Sequence, residues 1–228
     1  MKRLVQAEWL DTLAPDDPRA LRSRRDLRRI NWWMRNHVIL ARALENNLAF
    51  PPKQITELGA GDGNLLLHLA QALSPRWPDV QVTLLDLQKN VSAKTLAAFA
   101  KLDWHAEPVV ADVFNWSPAA DAEPVVVANL FLHHFADEQL ADLLHKISQT
   151  TKLFVAIEPH RFARPSLVGQ LLWLISCNDV TRHDAVASIR AGFRGAELSA
   201  LWPDASNWQL TERRAGWFSH LFIARRRE

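Results

Sequence analysis

The chain has 228 residues, 48% of them apolar and 23% charged, with a net charge of +2. That length and balance suit one ordinary globular core and exclude a disordered chain. The small net charge lacks the overall electrostatic footprint of a nucleic-acid binder. A single cysteine, Cys177, excludes an internal disulfide, and no Cys/His cluster suggests a metal site.

Glu8 and Asp11 interrupt the start of the chain before any apolar run long enough for a signal peptide. No segment approaches the length of a membrane span. A soluble, cytoplasmic protein with neither a membrane nor a nucleic acid as partner is expected.

Residues 1–50 read as helical. A short helix over Glu8 to Leu13 precedes a long one over Arg19 to Asn47, a stretch free of Gly and Pro. Ile30, Met34, Val38 and Leu44 recur along it at spacings near one or two helical turns. Asp16-Asp17-Pro18 supplies its start, with an acidic cap and Pro in the first turn. Arg19, Arg22, Arg24, Arg25, Arg28 and Arg29 crowd this helix. They form either a solvated face or a surface for an anionic substrate or acidic partner. In Asn31-Trp32-Trp33-Met34-Arg35-Asn36-His37 two adjacent tryptophans cannot both enter one core from a helix. Either one of them lines a ligand pocket, or the helix merely lies across a sheet with Trp33 buried.

After Pro51-Pro52 short strands alternate with helices, the pattern of a doubly wound parallel sheet over residues 51–228. Strands are expected at Gln54 to Leu58, Val80 to Asp86, Glu107 to Ala111, Pro124 to Leu130 and Lys152 to Ile157. Helices fall at Asn64 to Ala72, Ser92 to Lys101, Asp137 to Ser148, Ser166 to Ile175 and Arg182 to Gly192, with Thr181 or Asp179 capping the last. Trp208 to Arg213 and Trp217 to Ala224 close the chain as an antiparallel hairpin turning at Ala215-Gly216, giving seven strands in all.

Three of the seven glycines fall in Glu57-Leu58-Gly59-Ala60-Gly61-Asp62-Gly63, directly after the first strand and before a helix. Glycine is needed there for positive φ or close approach of a ligand, and the turn places a nucleotide-type ligand at the carboxyl edge of the sheet. The spacing is G-x-G-x-G with Asn64 following, not the dinucleotide G-x-G-x-x-G, and no Lys follows Gly63 as a phosphate loop requires. Asp86, ending the second strand, can accept hydrogen bonds from two ribose hydroxyls. Asp112 ends the third, where it supports either a ligand or a turn.

The E-x-G-x-G-x-G loop with acidic ends on three successive strands resembles class I S-adenosylmethionine-dependent methyltransferases. The resemblance implies a Rossmann-like methyltransferase fold with an N-terminal helical lid. S-adenosyl-L-methionine would be wrapped by Glu57, Gly59, Ala60, Gly61 and Gly63, with Asp86 and Leu87 at the ribose. It also implies Asp112 and Val113 at the adenine and Asn129 at the methionine part. Asn31 to His37, Val180 to Ala185 and Gly216-Trp217-Phe218 are similar to small bacterial methyltransferases associated with polyketide synthases. That implies a phenolic or other aromatic hydroxyl as acceptor, with Trp32, Trp33, His37 and Arg161 as substrate contacts. An oxygen nucleophile needs a proton acceptor, a role suited to histidine, and His134, His133 and His160 follow strands at the active edge. Methyl transfer itself requires no metal, and none is expected. Two alternatives stay open: a non-catalytic nucleoside-binding module of the same fold, and an NAD-linked oxidoreductase.

Overall fold

The computed structural model describes residues 2–14, 16–118 and 124–227. The N-terminal part contains α1 (Trp9–Thr12), α2 (Pro18–Met34) and α3 (Asn36–Asn47). Asp17 caps α2 by accepting the Arg19 N–H, and Pro18 occupies the first turn, where its missing N–H costs nothing. The single long helix expected from sequence is broken at Arg35, which adopts the left-handed conformation at φ 52°. Asn36 explains the break. Its buried side chain donates to Asn129 Oδ1 at 2.7 Å and accepts from Ser219 Oγ at 2.8 Å, so α3 starts pinned to two distant segments.

The alternating part runs β1 (Gln54–Leu58), α4 (Asn64–Leu73), β2 (Val80–Asp86), α5 (Ala93–Ala100) and β3 (Trp104–Val110). It continues with β4 (Val125–Asn129), α6 (Asp137–Thr150) and β5 (Leu153–Pro159). Then come α7 (Ser166–Leu174), α8 (Asp179–Ala191), α9 (Glu197–Leu201), β6 (Trp208–Ala215) and β7 (Ser219–Arg226). The third strand starts three residues before its expected position. Trp104, fully buried and bonded through Nε1 to the Trp77 carbonyl, draws it in. The eighth helix also starts earlier than expected, because Asn178, not Thr181 or Asp179, is its cap and accepts the Thr181 N–H at 2.9 Å.

The seven strands lie in the order β3-β2-β1-β4-β5-β7-β6, parallel except for β7, which is antiparallel to both β5 and β6. The order reverses between β1 and β4, the switch point outside which open α/β sheets leave a crevice at the carboxyl ends of their strands. One face carries Leu40, Leu44, Leu66, Leu69 and Phe99, the other Leu140, Leu144, Phe193, Trp202 and Phe222. Apolar layers on both faces explain why β4 and β5 read as continuous Val, Ala, Ile and Phe.

Candidate active site

The turn after β1 enters the crevice with Gly59, Gly61 and Gly63 all at positive φ. A Cβ at Gly59 would stand 2.2 Å from the Phe131 ring, so only glycine lets this loop close on the segment after β4. Asp86, at the end of β2, accepts the Gly61 N–H at 2.8 Å through Oδ2 and the Gln88 N–H at 2.9 Å through Oδ1. The Ala111 N–H reaches the Asp86 carbonyl at 3.0 Å, bringing Asp112 alongside. The carboxyl ends of β1, β2 and β3 therefore form one continuous edge.

Glu57 is buried at the end of β1, and its Oε2 has no hydrogen-bond partner. Burial, reinforced by the fields of Asp62 and Asp86, pushes its carboxyl well above the usual carboxylate range. An uncompensated buried acid of this kind is suited to meeting a cation.

A cavity of about 730 Å³ opens beside this edge. Its wall includes Glu57, Gly59, Ala60, Gly61 and Asn129 on the sheet side, with His133 and His134 following β4. Trp32, Trp33 and His37 stand across from them, joined by Leu171 and Ile175. Both tryptophans are more than half exposed, so Trp33 is not buried against the sheet. Burial and the neighbouring His68 and Arg35 lower the His37 pKa, favouring the neutral ring.

Gly63, Asp86, Leu87, Asp112 and Val113 stand outside the cavity wall. Gly63 is the left-handed cap of α4; the other four lie along or beside the edge already described. Asp112 Oδ1 accepts the Phe114 N–H at 2.9 Å, an Asx turn that still leaves acceptor capacity.

Two expected site residues are turned to other partners. Arg161 is buried in an ion pair with Glu197 and donates to the Gly192 carbonyl at 2.6 Å, tying the end of β5 to the segment after α8. It is not a wall residue. His160 pairs its backbone with Phe193 and stacks on His220 at 5.9 Å, and it too stands off the wall. Neither position was separable from a true contact in sequence, since both directly follow or end a strand at the active edge.

His133 is the most constrained of the histidines. Its Nδ1 lies 2.8 Å from Glu158 Oε2, and its Nε2 lies 3.6 Å from Glu8 Oε1. Glu158 also accepts the N–H groups of Phe131, Leu132 and His133, so it sits as a fixed carboxylate beneath the turn. Burial opposes charge on His133, but Glu158 and Glu8 prevail and raise its pKa to about 9. Donor atoms of Glu8, His133 and His134 all lie within 4.8 Å of one another, close enough to hold a metal ion. Sequence spacing did not anticipate this grouping.

Glu8 reaches the site on an anchored N-terminal strap. Arg3 donates to the carbonyls of Ala191 (2.8 Å) and Phe135 (2.6 Å), pairs with Asp137 (2.7 Å) and lies over the Phe193 ring. Asp184 accepts the N–H groups of Trp9 and Leu10, and Trp9 stacks on His183 at 3.9 Å. Ser188 Oγ then bonds Glu8 itself.

Residues 55–153 match the family model of a methyltransferase domain. By that match this segment is a methyltransferase domain. It contains β1 to β4 and begins β5, and so carries the glycine loop, Asp86, Asp112, Asn129 and the His133-His134 pair. No curated protein sequence matches the chain. Solved structures resemble the chain in fold at low identity. The plantazolicin methyltransferase BpumL in complex with SAH is 14% identical, with a TM-score of 0.67 over 93% of this chain and 92% of that one. An O-methyltransferase, so named provisionally, from Nostoc punctiforme PCC 73102 is 15% identical, with a TM-score of 0.63 over 98% of this chain and 64% of that one. Magnesium protoporphyrin IX methyltransferase (ChlM) from Synechocystis PCC 6803 with bound SAH is 13% identical, with a TM-score of 0.56 over 85% and 83%.

Proposed function

We propose that the chain methylates an oxygen of a small, largely apolar aromatic acceptor held in the cavity between the glycine loop and Trp32-Trp33. One observation carries this reading. A single cavity is walled at one side by the turn after β1 and at the other by two tryptophans and the apolar residues of α7.

Bound S-adenosylmethionine supplies the electrophilic methyl group. The residues present suit it: Glu57 Oε2, buried and unpartnered, would meet the ammonium of the methionine part, directly or through water. The Asp86 carboxylate, already oriented by Gly61 and Gln88, keeps lone pairs for both ribose hydroxyls. Asp112 and Val113 would take the adenine, with Leu87 beside the ribose and Asn129 toward the methionine part. Most of the rate gain rests on alignment of acceptor and methyl carbon, since positioning alone can lower a barrier substantially.

His133 is held as an imidazolium and cannot take a further proton, so it serves as a fixed positive group beneath the acceptor oxygen. His134 follows it on the same wall and is the proton acceptor in this reading. His37, whose surroundings favour its neutral form, adds a polar group across the cavity.

Incubating the chain with the cofactor and a panel of phenols and other aromatic alcohols, with mass spectrometry of the products, tests the proposal. A product heavier by one methylene is expected, with turnover about a hundredfold lower in His134→Ala. Calorimetry should show S-adenosylhomocysteine binding that Asp86→Ala weakens strongly. Binding without methylation of any acceptor would leave a nucleoside-binding module instead.

A further inference from the structure

Helix α7, Ser166–Leu174, contains no charged residue, yet Leu167, Leu171, Trp173 and Leu174 are 52, 50, 62 and 69% exposed. Leu167, Leu171 and Leu174 follow the i, i+4, i+7 spacing of one helical stripe. On α2, Leu21, Arg25, Arg28 and Trp32 repeat the same arithmetic, and all four are exposed. The two helices meet at the end of α7, where Arg29 donates to the Ile175 carbonyl at 3.2 Å and Arg22 to that of Ser176 at 3.0 Å. Trp32, Trp33, Arg28, Leu171 and Ile175 also belong to the wall of one cavity, so this face surrounds its mouth.

We infer that the α2–α7 face docks on an anionic lipid bilayer, with the cavity mouth turned toward the lipid. Contiguous exposed apolar surface on a soluble domain marks an interaction site. The composition selects the partner. Leucines enter the acyl boundary, tryptophans settle at headgroup level, and arginines keep their guanidinium groups among the phosphates while burying their stems. A second copy is disfavoured by charge. Isologous pairing that sets α2 on α2 would bring Arg19, Arg22, Arg25, Arg28 and Arg29 against their equivalents, and the acidic side chain within the helix, Asp26, is buried against Asn178 and Arg29. Span length, which led to the expectation of no membrane, says nothing about a surface lying on a bilayer. The inference concerns the surface and not the acceptor, so it stands or falls without any measurement of methyl transfer.

Flotation of the full chain with vesicles of phosphatidylcholine, alone or with added phosphatidylglycerol, tests it. The chain should float with the anionic vesicles at least about tenfold better than with the neutral ones, and raised salt should weaken binding. Arg25→Glu and Leu174→Glu, each outside the cavity wall, should each reduce flotation while keeping the native melting temperature. Doxyl-labelled lipid in the anionic vesicles should quench tryptophan fluorescence of the unaltered chain, which guards against misfolded variants. Absence of flotation and quenching, or equal binding to neutral vesicles, overturns the inference. So does a dimer that Leu174→Glu dissociates without any vesicle binding, or an acidic protein that binds this face while vesicles do not.

Discussion

Glu57 and His133 carry opposite electrostatic histories within the same cavity. Glu57 is an acid whose pKa is raised in the folded chain, so its contribution to stability is present at low pH and lost as pH rises from about 4.5 through the folded value. Glu57→Gln should therefore melt a few degrees higher than the native chain near pH 8 and about equally at pH 4. The same substitution should weaken S-adenosylhomocysteine binding by about tenfold or more, because the ligand's ammonium loses its counter-charge. Native binding should release a proton, visible as a dependence of the calorimetric heat on the buffer's ionisation enthalpy. His133 moves stability in the same direction over a higher pH window, because it too binds its proton more tightly in the folded chain. A base with its pKa raised to about 9 stabilises the fold fully below pH 6.5, and that share disappears as pH climbs through 9. About 3 kcal/mol rides on this window, counted once for the His133–Glu158–Glu8 group, since the lowered Glu8 pKa reports the same contacts. The native melting temperature should fall across pH 6.5 to 9, and His133→Gln should flatten that slope; parallel curves would refute it. Residue types at strand ends were legible in sequence, whereas burial was not. Arg161 and His133 look alike as strand-end cations, and only their neighbours, Glu197 for one and Glu158 with Glu8 for the other, assign them different work.

At the scale of elements, the strap over residues 2–14 shows what periodicity cannot reveal. Its only regular structure is the four residues of α1, and its positions are fixed by single polar contacts to α6, α8 and the turn after β4. Nothing in Arg3 or Glu8 taken alone announces a partner more than a hundred residues away. The break at Arg35 was equally hidden, because no Gly or Pro marks it and the cause, Asn36, acts through Asn129 and Ser219. Conversely, the glycine turn and the capped start of α2 were readable, since their logic is local. Arg3→Ala removes four hydrogen bonds and an ion pair from one side chain. It should cost about 2 kcal/mol and raise hydrogen–deuterium exchange at the Trp9 and Leu10 amides far above exchange in α4. Unchanged protection there would show that Asp184 holds the strap unaided.

For the molecule as a whole, alternation of strands and helices foretold the sheet, the parallel core and the antiparallel close. It did not foretell that β7 would sit inside the sheet between β5 and β6 rather than at its rim. A hairpin fixes which strands are partners, but either member can face β5. Burial decides the matter: Ser219 to Ala224 are all buried, whereas β6 alternates buried and exposed positions as an edge strand should. This placement has a temporal consequence. A chain emerging from the ribosome makes β5 well before β7, so the flank of β5 stays open through the synthesis of everything between them. Ser219 is also the residue that holds Asn36, which in turn holds Asn129 in the cavity wall. A nascent chain can close its glycine loop early, yet the hydrogen-bond chain through Asn129, Asn36 and Ser219 cannot be completed until the translation of β7. Incomplete chains thereby lack the contact that fixes Asn36 from its second side.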